Sequence, residues 1–435
     1  MIPRLLTLWE RVRSSLWALP LTMMLGACAL AYFALNAKID IGDDPVWFLY
    51  SGTARQAPQF LSNLVTAMIT MATLAISITM VVLTLAAQQL GPRLIRSFMG
   101  DWRTQASLGL FVATVVYLLL VLRSSYGDGD TVANLAVTVG AALVLVSVTT
   151  LLLCVHHLAQ SIIADNVIER VGSQLDNDAE RLLPEKDVEQ AEPPLKSDVE
   201  GAPVWLNVGG YVQAIDFGAI VSAAREANAV VELQMRAGQH AVPGSVLARI
   251  SPVMAATDSL SKAIQSAVLI GRERTAVQDL EYSMHQLVEI ALRALSPGIN
   301  DPYTAVAVLD RLALSMSKLM KRGAGRSVYQ DEDKVTRLLV VLSSFEGLTD
   351  TGFNQIRQVS SGKPDILIRM AESIGQLLRL ANETQREALE KHLRLVVNAG
   401  SRTIADENDR NDLKKAASVA RRAKNSTDAC KTVAV

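Results

Sequence analysis

Apolar positions crowd the first 160 residues and thin out beyond them. Four runs, roughly 16–35, 61–87, 106–122 and 132–153, are almost free of charge and show no strand alternation. Each reaches or approaches the ~20 residues with which a helix crosses ~30 Å of hydrocarbon. Only a helix or a closed barrel satisfies its backbone in lipid, so these runs predict four membrane-spanning helices. The first run starts from basic residues as a signal peptide would. Its apolar stretch is longer than a usual signal core, and a retained span is expected.

The second run would extend ~40 Å as a helix, so it must tilt or protrude from the bilayer. A break is expected at Gly91-Pro92, then a short interfacial helix over 92–99 with Trp102 at the headgroups. Asp101 is placed to cap the third span. Along the second run Asn63, Thr66, Thr70, Thr73, Ser77, Thr84 and Gln88 recur at steps of three, four or seven. This polar stripe has two readings. Thr and Ser bond their own backbone and let helices approach closely, which is packing. A polar line from mouth to mouth is also what a pore-lining helix needs, and one stripe encloses a channel only in a symmetric oligomer.

Charge in the loops sets an orientation. Arg4, Arg11 and Arg13 precede the first span, and Arg93, Arg96 and Arg103 lie between the second and third. Asp40, Asp43 and Asp44 occupy one of the other loops, and Asp128 and Asp130 the last. Positive-inside places both termini in the cytoplasm. No Asp, Glu, Lys or Arg lies within the four runs, which argues against a carboxylate-coupled pump or transporter. His156 and His157 read as interfacial residues at a helix C-terminus, with a pH sensor as the alternative.

Beyond a helix extension, the stretch 161–203 becomes an acidic, proline-bearing linker. Residues 204–250 alternate and carry turn signals, which predicts a small β-rich module. From 251 to 400 the spacing is helical, with helices expected over 258–270, 276–295, 303–321, 331–342 and 363–399. The tail, 401–435, has few large apolar residues and is expected to be disordered or loosely helical. The expected fold class is therefore an α-helical multipass membrane domain of four transmembrane helices, followed by a cytoplasmic α+β domain, mostly helical with a small β-rich module.

Composition adds exclusions. The formal net charge of −1 gives no electrostatic footprint for nucleic acid. The 3 cysteines and 5 histidines form no disulfide framework and no metal-ligand spacing. Walker A, dinucleotide and nucleophile-elbow motifs are missing from the sequence. No enzyme, metal centre or cofactor is expected. One polar constellation remains, in Leu295-Ser-Pro-Gly-Ile-Asn-Asp-Pro-Tyr-Thr304. Asp301 caps a helix with Pro302 at its first position. The corner is either a plain helix–turn–helix or a ligand site built from Asn300, Asp301, Tyr303 and Thr304 at a helix N-terminus.

Three stretches carry a family resemblance. They are Thr84-Leu-Ala-Ala-Gln-Gln-Leu-Gly-Pro-Arg-Leu-Ile-Arg-Ser-Phe-Met99, Ala291-Leu-Arg-Ala-Leu-Ser-Pro-Gly-Ile-Asn-Asp-Pro-Tyr-Thr-Ala305 and Phe353-Asn-Gln-Ile-Arg-Gln358. With them the chain resembles bacterial predicted membrane proteins grouped as domain of unknown function 2254. The resemblance implies a multipass protein with a large C-terminal domain, and no activity. The expected function is a homo-oligomeric, passive ion channel lined by the second span, with Asp40, Asp43 and Asp44 favouring cations at the outer mouth. The alternative is a non-conducting sensor or scaffold whose cytoplasmic domain binds a partner or small ligand. The expected partners are the lipid bilayer, further copies of the chain and inorganic ions.

Overall fold

The computed structural model describes residues 17–37, 50, 55–91, 94–126, 134–183, 201–322 and 326–432. The chain divides into an N-terminal unit, Leu8–Asn166, and a C-terminal unit whose described part begins at Val167.

Among its described residues the N-terminal unit has four helices long and apolar enough to cross a membrane: α1 (Ala18–Asn36), α2 (Ala57–Leu90), α4 (Trp102–Ser124) and α5 (Asn134–Ser161). A short helix, α3 (Ile95–Met99), follows the break after Leu90, where Gly91 takes φ +118°. That value lies outside the range open to residues with a Cβ, so the glycine ends α2. Among the four, α4 is the most enclosed and packs against α1, α2 and α5. Phe111, Tyr117, Leu118 and Val121 of α4 form the centre of its core with Leu61 and Met68 of α2. Small residues allow the close approach: a Cβ on Gly109 would come within 2.6 Å of Met23 Sδ, and one on Gly140 within 2.8 Å of Leu118 Cδ2. Polar contacts also join α4 and α5, among them Thr114 Oγ1 with Ser147 Oγ at 3.2 Å and Tyr117 OH donating to the Ala136 carbonyl at 2.9 Å.

The C-terminal unit opens with α6 (Ala164–Leu182), whose first residues belong to the N-terminal unit. Next come β1 (Ala202–Trp205), β2 (Gly210–Ile215), α7 (Phe217–Glu226), β3 (Val230–Leu233), β4 (His240–Ala241), β5 (Val246–Ser251), α8 (Asp258–Ser266) and β6 (Val268–Gly271). The helical part follows as α9 (Leu280–Ala294) and α10 (Pro302–Leu319). After a hairpin of β7 (Arg326–Gln330) and β8 (Thr336–Val341) come α11 (Phe345–Val359), α12 (Pro364–Leu378), α13 (Glu383–Thr403) and α14 (Glu407–Thr432). The strands form one sheet of order β1-β5-β3-β8-β7 and a second of order β4-β2-β6, with β3 and β8 parallel. Val212, Ile215, Leu233, Leu247 and Leu338 fill the core, covered by Ile220 of α7 and Ile264 of α8.

Several expectations need correction. The β-rich module is not confined to 204–250, because β6 and the β7–β8 hairpin complete its sheets. The helix expected over 331–342 is a turn and a strand. Asp331 accepts from the amides of Asp333 and Val335, Lys334 takes φ +59°, and Thr336–Val341 then pairs with β7 on one side and, at Leu338 and Leu339, with β3 on the other. So short an apolar run has no decisive period. The helix over 258–270 stops at Ser266, and β6 takes up the rest. The single helix over 363–399 is two, because Asn382 and Gln385 form a capping box that starts α13. The tail, expected to be disordered or loosely helical, is helix α14 across 407–432 and buries Leu413, Ala417 and Ala420.

Candidate functional site

On α2 the chain's own packing and the polar stripe take opposite faces. Leu61, Val65, Met68, Ala72, Ala75 and Thr79 are buried in the unit. Asn63, Thr66, Thr70, Thr73, Ser77, Thr84 and Gln88 are all exposed. At ~100° per residue the centres of the two sets stand about 160° apart. The stripe therefore does not pack α2 against the chain's other spans. Apolar side chains flank it, with Ile69, Ile76 and Met80 on one side and Leu74, Val81 and Leu85 on the other. At its 34 residues α2 extends ~51 Å, enough to overrun the hydrocarbon at both ends.

The hydroxyls are oriented by the helix itself. Thr66, Thr70, Thr73, Ser77 and Thr84 each donate to the carbonyl four residues earlier, at 3.0, 3.0, 2.9, 2.8 and 2.8 Å. Each proton is thus committed to the backbone, and the oxygen lone pairs are left to face outward. The hydroxyl part of the stripe is an acceptor surface with no formal charge, and Asn63 and Gln88 at its ends add amide donors.

At the α3 end of the spans, Asp101 caps α4, as its position before Trp102 foretold, accepting from Arg103 N at 3.3 Å and Thr104 Oγ1 at 3.2 Å. Its Oδ2 also meets His157 Nε2 of α5. Sequence reasoning missed this pair, because 56 residues separate its members and nothing local links them. Gln105 Nε2 donates to the Met99 carbonyl at 2.8 Å and fixes α3 against α4. Asp40, Asp43 and Asp44 lie outside the described residues.

The corner between α9 and α10 uses most of its polar groups internally. Asp301 accepts from Thr304 N at 3.2 Å and from the Thr304 hydroxyl. Asn300, at φ +49°, accepts through Oδ1 from Lys363 Nζ at 3.1 Å, and Lys363 also donates to the Leu295 carbonyl at 3.2 Å. Tyr303 is 84% exposed and Ile299 43%. The structure brings Asp301 and Thr304 together as a cap, ties Asn300 to Lys363, and leaves Tyr303 and Ile299 as a surface.

Comparison with known proteins agrees with this architecture. Residues 13–376 match the family described as predicted membrane protein, DUF2254. The uncharacterized proteins Rv1290c of Mycobacterium tuberculosis and Mb1321c of Mycobacterium bovis are each 29% identical to the chain over 423 residues. That alignment covers 94% of this chain and 81% of each relative. No solved structure matches the chain. With four membrane-length helices, a mixed C-terminal unit and a match over most of its length, the chain belongs to the DUF2254 family of bacterial multipass membrane proteins.

Proposed function

We propose that the chain assembles as a homo-oligomeric, passive ion channel of the bacterial inner membrane, with α2 lining the pore. The C-terminal unit lies in the cytoplasm and gates or assembles the channel. The observation that carries this reading is the outward polar stripe of α2, set opposite the face that packs on the chain's own spans. Facing lipid, the lone pairs along this line go unsolvated, whereas a water-filled axis between copies solvates them. The flanking ridges of Ile69, Ile76, Met80, Leu74, Val81 and Leu85 supply apolar contacts to neighbouring copies. Rings of outward lone pairs coordinate cations and disfavour anions. The arginines at 93, 96 and 103 support the cytoplasmic placement of the loop between α2 and α4. Ion flux through the purified protein in liposomes tests the reading. Wild type conducts, and Thr73→Leu and Thr70→Leu form the same oligomer but do not.

A second reading follows from the α9–α10 corner. With most of its polar groups satisfied internally, exposed Tyr303 and Ile299 suit a protein partner better than a small polar ligand. On that reading the spans are an anchor, and the isolated pore substitutions change nothing.

A further inference from the structure

Two residues, 162 and 163, separate the end of α5 from the start of α6. Such a connection reaches at most ~10 Å when fully extended, so α6 cannot travel far without drawing on α5. The C-terminal unit grips α6 through buried charge. Asp176 Oδ2 accepts from Arg311 Nη2 at 2.9 Å and Lys318 Nζ at 2.6 Å, and its Oδ1 accepts from Ser315 Oγ at 2.7 Å. Arg311 Nη1 donates to the same Ser315 hydroxyl at 2.7 Å, and its Nε faces Glu169 Oε2 at 3.0 Å. Asp176 and Arg311 are each more than nine-tenths buried. Gly172 lies beneath the Arg311 side chain, where any Cβ would collide with the guanidinium. Arg322 donates to the carbonyls of Glu180 and Leu183 at 3.0 and 3.1 Å and closes the far end.

Packing alone does not call for this arrangement. A buried ion pair is often no more stabilising than apolar side chains of the same volume, and fixing register is its best-attested use. A slip of one helical turn, ~5.4 Å, would break these bonds together and leave buried charge unpaired.

We infer that α6 is the element through which the C-terminal unit acts on the membrane spans, and that Asp176 and Arg311 form the latch that fixes its register. The latch goes beyond the channel reading and serves a non-conducting sensor equally. The test uses the full-length protein in liposomes, as wild type, Asp176→Asn and the apolar pair Asp176→Leu/Arg311→Met. Two readouts are taken: amide hydrogen exchange of α6, and the labelling rate of Cys154, buried in α5, by a membrane-permeant maleimide. In Asp176→Asn both rise by at least about tenfold, because Arg311 is left buried and unpaired. The apolar pair keeps the wild-type helix content but shows the same rise at Cys154, which keeps the test valid if the single variant does not fold. Faster exchange in α6 with Cys154 labelling unchanged would overturn the coupling. An apolar pair that labels like wild type would reduce Asp176 and Arg311 to a structural contact.

Discussion

Asp101 and His157 tie α4 to α5 at one end, with the Asp101 carboxylate serving the α4 cap and the His157 ring together. Asp101→Ala removes both roles, whereas Asp101→Asn keeps a capping oxygen and loses only the charge. Loss of a cap costs about 1 kcal/mol, and a lost hydrogen bond to a charged group about 1.5–3. In detergent the thermal midpoint of Asp101→Ala should fall below wild type, with Asp101→Asn between the two. Equal midpoints for the two variants would remove the cap from this account.

Gly375 sets how closely α14 docks on α12. A Cβ there would stand 2.7 Å from Ala420 Cβ and 3.0 Å from its Cα. The second of these is backbone and cannot swing aside. Gly375→Val should weaken the docking by about 1–3 kcal/mol, as overpacking does. Hydrogen exchange should then rise across α14 while the sheets keep their protection. Unchanged protection in α14 would mean that the helix is held elsewhere.

His392 gives the C-terminal unit a pH dependence of fixed sign. It is fully buried, beside Phe353, with Nε2 2.8 Å from Asp350 Oδ1. Burial pushes its imidazole below the ordinary value of 6.5, against the partial opposition of Asp350. The unfolded chain therefore takes up a proton below pH 6.5 that the folded chain resists. Its contribution to stability is complete above that pH and declines as pH falls from there toward the lowered folded value. The urea midpoint of wild type should drop more than that of His392→Gln between about pH 7.5 and about pH 5.5. Parallel curves for the two proteins would contradict the assignment.

The four spans, the Gly91 break and the caps at Asp101 and Asp301 were legible in sequence because each signal is local. What stayed hidden was non-local or weakly apolar. β8 is only six residues long and finds its parallel partner β3 more than a hundred residues away. α14 buries alanines more than large side chains, so its composition resembles that of a loose tail. The stripe on α2 was visible as a period. Its direction was not, because only the packed set beginning at Leu61 and Val65 shows which face is left over. Arg311 over Gly172 left no sequence signal, since the pair joins helices 139 residues apart in numbering.

Thr73 and Thr79 separate the two faces of α2 by mutation. Thr73 is exposed and Thr79 is buried, although both hydroxyls donate to their own backbone. Thr73→Val should leave the thermal midpoint within the range of a neutral surface change, about 0.5 kcal/mol. It should nonetheless lower flux. Thr79→Val should leave the ion selectivity of any flux as in wild type. A selectivity change at Thr79 alone would place the water path on the other face.

The most direct measurement is a cysteine scan of α2 in a background where Cys28, Cys154 and Cys430 are alanine. Single cysteines replace Thr66, Thr70, Thr73 and Ser77 on the stripe, and Val65, Met68, Ala72 and Ala75 on the packed face. Each variant in liposomes is exposed to a charged, water-borne thiosulfonate while ion flux is recorded. Reaction and block are expected at the four stripe positions, with no effect at the four packed positions. Flux that survives modification of the stripe, or a protein with no flux to block, would contradict a pore lined by this helix.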